Sequence, residues 1–508
     1  WVWDNNTCLN MSLRHGVTFH DGTRFNATHV QWTFDRLYNL IDLGESQLGD
    51  LYLFPNGTWI LDHINIVSEY EIQCILTVPY AAFLDLLTFS GSYIIPKDSM
   101  PFNNIINYGD AGVNLIGTGP FKFMEYLTED KVVFSKWADY WGTPANVPGL
   151  IFQVIPDANT RNQAMLNREI HFLPDPLPDM VNTFKANPNL YFKDGPDNLV
   201  IQYIGMNNKA ISKTMRQVAS YAFDYTYALS EVMKNQGTRL HGPIPAGMKT
   251  YNGSIPYVSR NVTKARELMI NAGLVPGASL PANASLLTND AFWTSKAGLP
   301  STAFASYNYT YNADNQVRHD MGVLLRSSLA QCGIYLTLNG ITWKQFVYML
   351  YDHAPYNRNQ LEFFFLGWGP DYNDPENYVS PLFSNASYSN GAQVDDPTLQ
   401  VWIEDSRSTT DEATRDQIFQ DVQEYLQTDL MPWIFVYQGH NLDVWVKNLR
   451  GYSANILDKH YFGHVSFDTT STPPGEAVPI PIVPLLAAIV SAVALISVVE
   501  GRKLKRRS

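Results

Sequence analysis

The residues of this chain best suited to chemistry lie between Leu361 and Asn377, in the run Leu-Glu-Phe-Phe-Phe-Leu-Gly-Trp-Gly-Pro-Asp-Tyr-Asn-Asp-Pro-Glu-Asn. Trp368 and Tyr372 are large, stiff surfaces, and Asp371 stands between them. A carboxylate beside aromatic faces suits a ligand cation such as a free amino group. The apolar run Phe363 to Leu366 just before it reads as a buried strand. Loops at the ends of such strands are where α/β proteins place ligand contacts. Asp-Tyr-Asn-Asp-Pro is equally good turn chemistry, because Asx side chains bond nearby backbone. Spacing alone leaves both uses open.

Other reactive-looking groups carry less. Gly117-Thr118-Gly119-Pro120-Phe121 reads as a hinge and turn, since it lacks the Gly-Lys-Ser/Thr ending of a phosphate loop. His20-Asp21-Gly22 contains an ordinary Asp-Gly turn, and no second His sits at metal-ligand spacing. Arg216 and Asp224 are expected on a surface or hinge helix, paired or solvated. The 11 His include no His-Glu-x-x-His, and there is no Gly-x-Ser-x-Gly elbow. The chain is therefore read as a non-enzyme, with no cofactor and no metal centre.

The elements that must position these residues begin with residues 1 to about 120, which alternate short strands and turns. Helical spacing occurs there at Val30, Phe34 and Leu37, and a hairpin is expected from Ile64 to Val78. Further strands are expected at Phe121–Phe123, Lys131–Ser135, Gly149–Val154 and Leu199–Met206. Helices are expected at Asn159–Asn167, Thr214–Lys234, 262–272, 313–332 and Arg415–Gln427. The last three lead towards the apolar strands Tyr335–Leu338, Phe363–Leu366 and Trp433–Tyr437. Alternation of this kind indicates α/β lobes.

The formal net charge of the 508 residues is -13; the last nine carry +4, from five basic residues against Glu500, which leaves -17 on everything before them. No basic patch is available to neutralise phosphates, so nucleic acid is excluded as a partner. Aromatic content is 13 %, with 29 Tyr and 12 Trp, which fits broad stacking surfaces and cores alike. From Ala477 to Val499 there is no charged residue, a length suited to one membrane-spanning helix. The basic residues Arg502 to Arg507 behind it place the tail in the cytoplasm and residues 1 to roughly 470 outside the cell. Residues 469–476 (Thr-Thr-Ser-Thr-Pro-Pro-Gly-Glu) cannot form a core and read as a stalk.

Nine Asn-X-Ser/Thr sequons, at Asn5, Asn10, Asn26, Asn56, Asn252, Asn261, Asn283, Asn308 and Asn385, agree with an exterior, glycosylated surface, although abundant Asn and Thr alone also produce them. An oxidising exterior would allow a disulfide between Cys8 and Cys74. Cys332, in an apolar helix end, reads as a small core residue. Trp1-Val2-Trp3-Asp4 shows neither Met nor a signal-peptide pattern, so a processed chain or a fragment is expected.

Several separated motifs coincide with one family. Ser12-Leu13-Arg14-His15-Gly16-Val17-Thr18-Phe19-His20-Asp21-Gly22-Thr23, Gly117 to Phe121, Asp139-Tyr140-Trp141-Gly142, Arg216-Gln217 through Asp224, Gly242-Pro243-Ile244-Pro245 and Gly367-Trp368 through Asn377 occur in order. Across residues 12 to about 452 the chain resembles the extracellular solute-binding proteins of ABC importers, the dipeptide/oligopeptide-binding family (family 5), in a membrane-anchored archaeal form. His29 stands where that family usually has Asp. The resemblance implies an α/β, two-lobed periplasmic-binding-protein-like fold closing over a ligand. The first lobe would be residues 1–207 with a return segment 440–468, and the second 208–439. They would be followed by the stalk, a transmembrane helix 477–499 and the tail 500–508. It further implies that Asp371 anchors the α-amino group of a bound peptide, with Trp368 and Tyr372 as walls and Asn207 approaching the peptide backbone.

The expected function is a cell-surface receptor that captures a peptide by lobe closure and hands it to an ABC permease. The lipid bilayer would be its partner through the C-terminal helix. Two alternatives stand beside it: the same fold binding an oligosaccharide or another solute such as a nickel chelate, or a structural coat or filament subunit that self-assembles.

Overall fold

The computed structural model describes residues 1–468 apart from 45–47, 107–114, 352–359, 454 and 458; for Asp194 and Pro196 it describes the backbone alone. The stalk 469–476, the expected transmembrane helix 477–499 and the tail 500–508 lie outside the described residues. Among the described residues no helix is long and apolar enough to cross a membrane.

Three larger sheets organise the α/β fold. At the N-terminus β1 (Val2–Asn5), β2 (Cys8–Ser12), β3 (Leu61–Ser68) and β4 (Glu71–Leu76) form an antiparallel sheet of order β1-β2-β4-β3. Helix Ala27–Asp42 packs on it, begun by Asn26, whose side chain accepts the Thr28 N–H, and buries Val30 and Phe34 as their spacing predicts. Next, β5 (Phe121–Leu127), β6 (Lys131–Lys136) and β7 (Gly149–Gln153) form a three-stranded antiparallel sheet.

Seven further strands are β8 (Phe172–Pro174), β9 (Leu190–Met206), β10 (Gly237–Arg239), β11 (Ala305–Asn312), β12 (Ile334–Ile341), β13 (Phe363–Trp368) and β14 (Trp433–Val446). They build a seven-stranded sheet of order β10-β14-β9-β13-β11-β12, with β8 on β14. Its middle is covered on both faces, which is why β13 reads as an unbroken apolar run. Phe363 and Phe365 enter one core with Ile204, Met206 and Leu325. Phe364, Leu366 and Trp368 enter another with Ile201, Tyr203, Tyr378 and Phe419.

β9 and β14 are far longer than their apolar parts, 17 and 14 residues. Apolarity marked only Leu199–Met206 and Trp433–Tyr437. The additional pairing, Leu190–Asp197 against His440–Val446, mixes polar residues with apolar pairs such as Tyr191 and Trp445, and along β14 the ladder has register shifts at Phe435/Tyr437, Gln438/His440 and His440/Leu442. Asn198 spans that irregular stretch, its Nδ2 donating to His440 O at 3.3 Å, while Gln438 Nε2 donates to Asn198 O at 2.7 Å.

Three expectations change. The helix predicted over Thr214–Lys234 stops at Ala222, because Phe223 turns into the core and Asp224 accepts the Tyr227 N–H to begin a new turn. Arg216 is buried rather than on a surface; its guanidinium donates to the Ile211, Leu430 and Met431 carbonyls, and burial lowers its pKa to about 10. Cys8 and Cys74 are free thiols. Cys8 pairs with Ile75 and Leu9 with Cys74, so the two sulfurs belong to opposite faces of the sheet. Cys332, as expected, is a buried core residue.

The sequons have a local structural use. Asn5, Asn26, Asn56 and Asn252 each accept the backbone N–H of the Thr or Ser two residues on, forming Asx turns.

Candidate ligand-binding site

Two glycines bring the Gly-Trp loop close to β9. A Cβ on Gly367 would stand 2.3 Å from Gln202 Nε2, and one on Gly369 would stand 3.4 Å from Val200 Cγ2. Trp368 pairs with Ile201 in the ladder and is 8 % exposed, so its ring is mainly a core surface. Asn377, fully buried, ties the loop together. Its Oδ1 accepts from Trp368 Nε1 at 3.2 Å and from the Asp371 N–H at 2.8 Å, and its Nδ2 donates to Asp371 Oδ2 at 3.2 Å.

Asp371 is held in place by that amide, and no basic side chain among the described residues forms an ion pair with it. Burial pushes its pKa up to about 6, and the carboxylates of Asp50 and Glu376 push the same way. The Asn377 hydrogen bond and the charge of Lys459 oppose the rise.

Tyr372 turns the other way. It is wholly buried in the N-terminal core, and its hydroxyl donates to Glu376 Oε2. Tyr80 donates to the same oxygen at 3.0 Å. Arg407 Nε stands 3.2 Å from Glu376 Oε1, an ion pair without hydrogen-bond alignment. Asp374 receives both Arg415 Nη1 and Nη2, at 2.9 and 2.6 Å, and accepts the Glu376 N–H. Asp374-Pro375 is thus a turn that holds the loop.

Asn207 lies apart from these residues. β13 runs antiparallel to β9, with Phe363 opposite Met206 and Trp368 opposite Ile201. Asn207 therefore sits where β13 begins, and Asp371 beyond where it ends, about 20 Å along at about 3.3 Å per residue. Its amide donates to Leu361 O at 2.8 Å and accepts the Lys209 and Ala210 N–H groups. Asn207 is a buried connector between β9 and β13.

On the face of β9 opposite Trp368 is a cavity of about 300 Å³. Val200 and Gln202 line it from β9, Tyr437 and His440 from β14, Arg161 and Asp175 from one side and Gln236 and Arg318 from the other. Val200 also reaches Gly369, so the cavity borders the Gly-Trp loop. Arg318 Nη1 donates to Asn312 Oδ1 at 2.7 Å, whereas its buried Nε has no hydrogen-bond partner among the described residues. Burial lowers its pKa. Such a guanidinium suits a carboxylate. Sequence reasoning missed Gln202, Gln236 and Arg318. Each is an isolated polar residue, and no spacing signals that separate segments converge. Among the described residues no group of three His, Cys, Asp or Glu is placed to hold a metal ion.

Known proteins resemble the chain in sequence and in fold. The profile of the family described as "Bacterial extracellular solute-binding proteins, family 5 Middle" matches residues 1–390. The dipeptide-binding protein of Escherichia coli (strain K12) is 24 % identical over 481 residues, 90 % of this chain and 82 % of that protein. The oligopeptide-binding protein AppA from Bacillus subtilis, solved with a nonapeptide, superposes with a TM-score of 0.77 at 21 % identity, over 92 % of this chain and 88 % of that one. NikA from Staphylococcus aureus, solved with Ni(L-His)2, gives 0.74 at 14 % identity, over 92 % and 90 %.

Proposed function

The chain belongs to the bacterial extracellular solute-binding proteins of family 5, a family of binding proteins, and from that premise we propose that it is a membrane-tethered receptor that captures peptides and passes them to an ABC importer. The observation that carries the peptide reading is Asp371: a half-buried carboxylate, fixed by Asn377, with no ion pair of its own among the described residues. Leaving such a group unpaired is costly, and a peptide α-ammonium answers it. Arg318 and Gln202, across the strand from Trp368, supply donors for carboxylate and carbonyl groups. The relatives named for dipeptide or oligopeptide binding support the same ligand class.

The two proposed lobes, 1–207 with 440–468 and 208–439, each contribute to the cavity, with Arg161 and Asp175 from the first and Gln236 and Arg318 from the second. Closure would turn on the irregular β9–β14 pairing near Asn198 and Gly439, because a ladder broken by bulges bends at lower cost than a continuous one. The uncharged run 477–499 followed by Arg502–Arg507 supports the tether and a cell-surface ectodomain.

Two measurements test the proposal. Mass spectrometry of solute retained on purification should find peptides. Calorimetry with a peptide mixture should show binding that Asp371→Ala weakens by about tenfold or more, the worth of a charge-assisted hydrogen bond. Retained oligosaccharide or metal chelate, or unchanged affinity in the variant, overturns the peptide reading and leaves another solute as the cargo of the same fold.

A further inference from the structure

A second cavity, of about 160 Å³, shares no lining residue with the first. One wall is Leu53, Phe54 and Pro55, the other Pro381 and Ala386, and Asp50 and Arg407 also line it. Asp50 Oδ2 accepts from Ser387 Oγ, whereas its buried Oδ1 has no hydrogen-bond partner among the described residues.

Charge does not balance here. Arg415 is taken by Asp374 and Arg407 by Glu376. Asp50 forms no ion pair among the described residues, so its carboxyl is the acidic group here without a cationic partner. Burial raises its pKa, while Ser387, the Tyr388 N–H and the Arg407 charge pull it back towards the ionised form. An anion has no claim on the cavity, because Arg407 already donates to Ser380 Oγ and Leu51 O and faces Glu376. A bare metal ion would exchange its hydration shell for apolar walls and one carboxylate oxygen, which is unfavourable. A cation carried on an aliphatic stem meets both requirements, since its methylenes suit the walls and its head the carboxylate. At about 30 Å³ per water-sized group the cavity holds about five heavy atoms, the size of a lysine side chain.

We propose that this cavity is a binding site for an alkylammonium group, the chemistry of a lysine side chain, with the nitrogen on Asp50 and the stem between Phe54 and Pro381. The assignment does not depend on the peptide reading, so its test uses a probe that is not a peptide. Saturation-transfer NMR titrations of n-butylammonium and of n-butanol, its neutral equivalent, are made with the full chain at neutral pH. In an Asp371→Asn background, which removes the carboxylate proposed above for peptide ammonium, the butylammonium should bind at least about tenfold more tightly than the alcohol, and adding Asp50→Asn should abolish that preference. Ala386→Trp, at an exposed position on the mouth of the cavity, should weaken both probes while leaving thermal stability near that of the unmodified chain. Equal binding of the two probes in the Asp371→Asn background, an undiminished preference when Asp50→Asn is added to it, or no binding of the ammonium in that background overturns the proposal.

Discussion

At neutral pH the Asp371 carboxylate is ionised, although burial and its acidic neighbours push its pKa up to about 6. Two opposite pH dependences result. A peptide ammonium needs the ionised form, so affinity should fall by about tenfold per pH unit once the pH drops below the pKa of about 6. Calorimetry across that range checks this against Asp371→Asn, whose weaker binding should be flat. For the ligand-free fold the sign reverses. A pKa raised on folding stabilises the folded chain when the group is protonated; this contribution is full below the ordinary value of 3.8 and lost as pH rises through about 6. Asp371→Asn should therefore melt higher than the unmodified chain at neutral pH, and the gap should close in acid. Glu376 makes the opposite case, a buried charge with its partners already in place. Glu376→Gln would leave Arg407 buried without a carboxylate and should cost about 3 kcal/mol in urea unfolding.

Among the elements, β13 shows how tightly the central sheet is packed. Phe364 pairs with Gly205 across the ladder, and its ring occupies the space a Cβ on Gly205 would need, 2.2 Å from Cζ. Gly205→Ala should lower unfolding free energy by about 2 kcal/mol, the usual penalty for overpacking, without changing ligand affinity. Element positions were largely legible in the sequence: the run Phe363–Leu366, the hairpin from Ile64 and the spacing at Val30 and Phe34 all report local burial. Element ends were less so. Leu190–Asp197 and His440–Val446 carry polar residues, and they become strand by pairing with each other. Asp224 ends a helix that periodicity would continue, because its side chain satisfies a backbone donor better used to start the next turn.

For the whole molecule, membrane tethering and lobe closure are separable by experiment. The full chain should sediment with membranes, and a form ending at residue 468 should stay in the supernatant. Recovery of both in the supernatant would refute a tether at 477–499. Small-angle scattering of the residue-468 form should show a smaller radius of gyration with a bound solute than without it, if the irregular β9–β14 pairing acts as the hinge.

By itself the sequence determined the α/β class, the family and the Gly-Trp loop with Asp371 as its most chemical residue, because periodicity, composition and short motifs are local properties. Tertiary structure alone decided which residues keep company with that loop. It sends Tyr372 into the N-terminal core, moves Asn207 to the far end of β13, and puts Cys8 and Cys74 on opposite faces. It also assembles Gln202, Gln236 and Arg318 around one cavity from separate segments. The physical reason is that burial can be read from neighbours in sequence, whereas partnership depends on strand direction and register, which long-range packing sets.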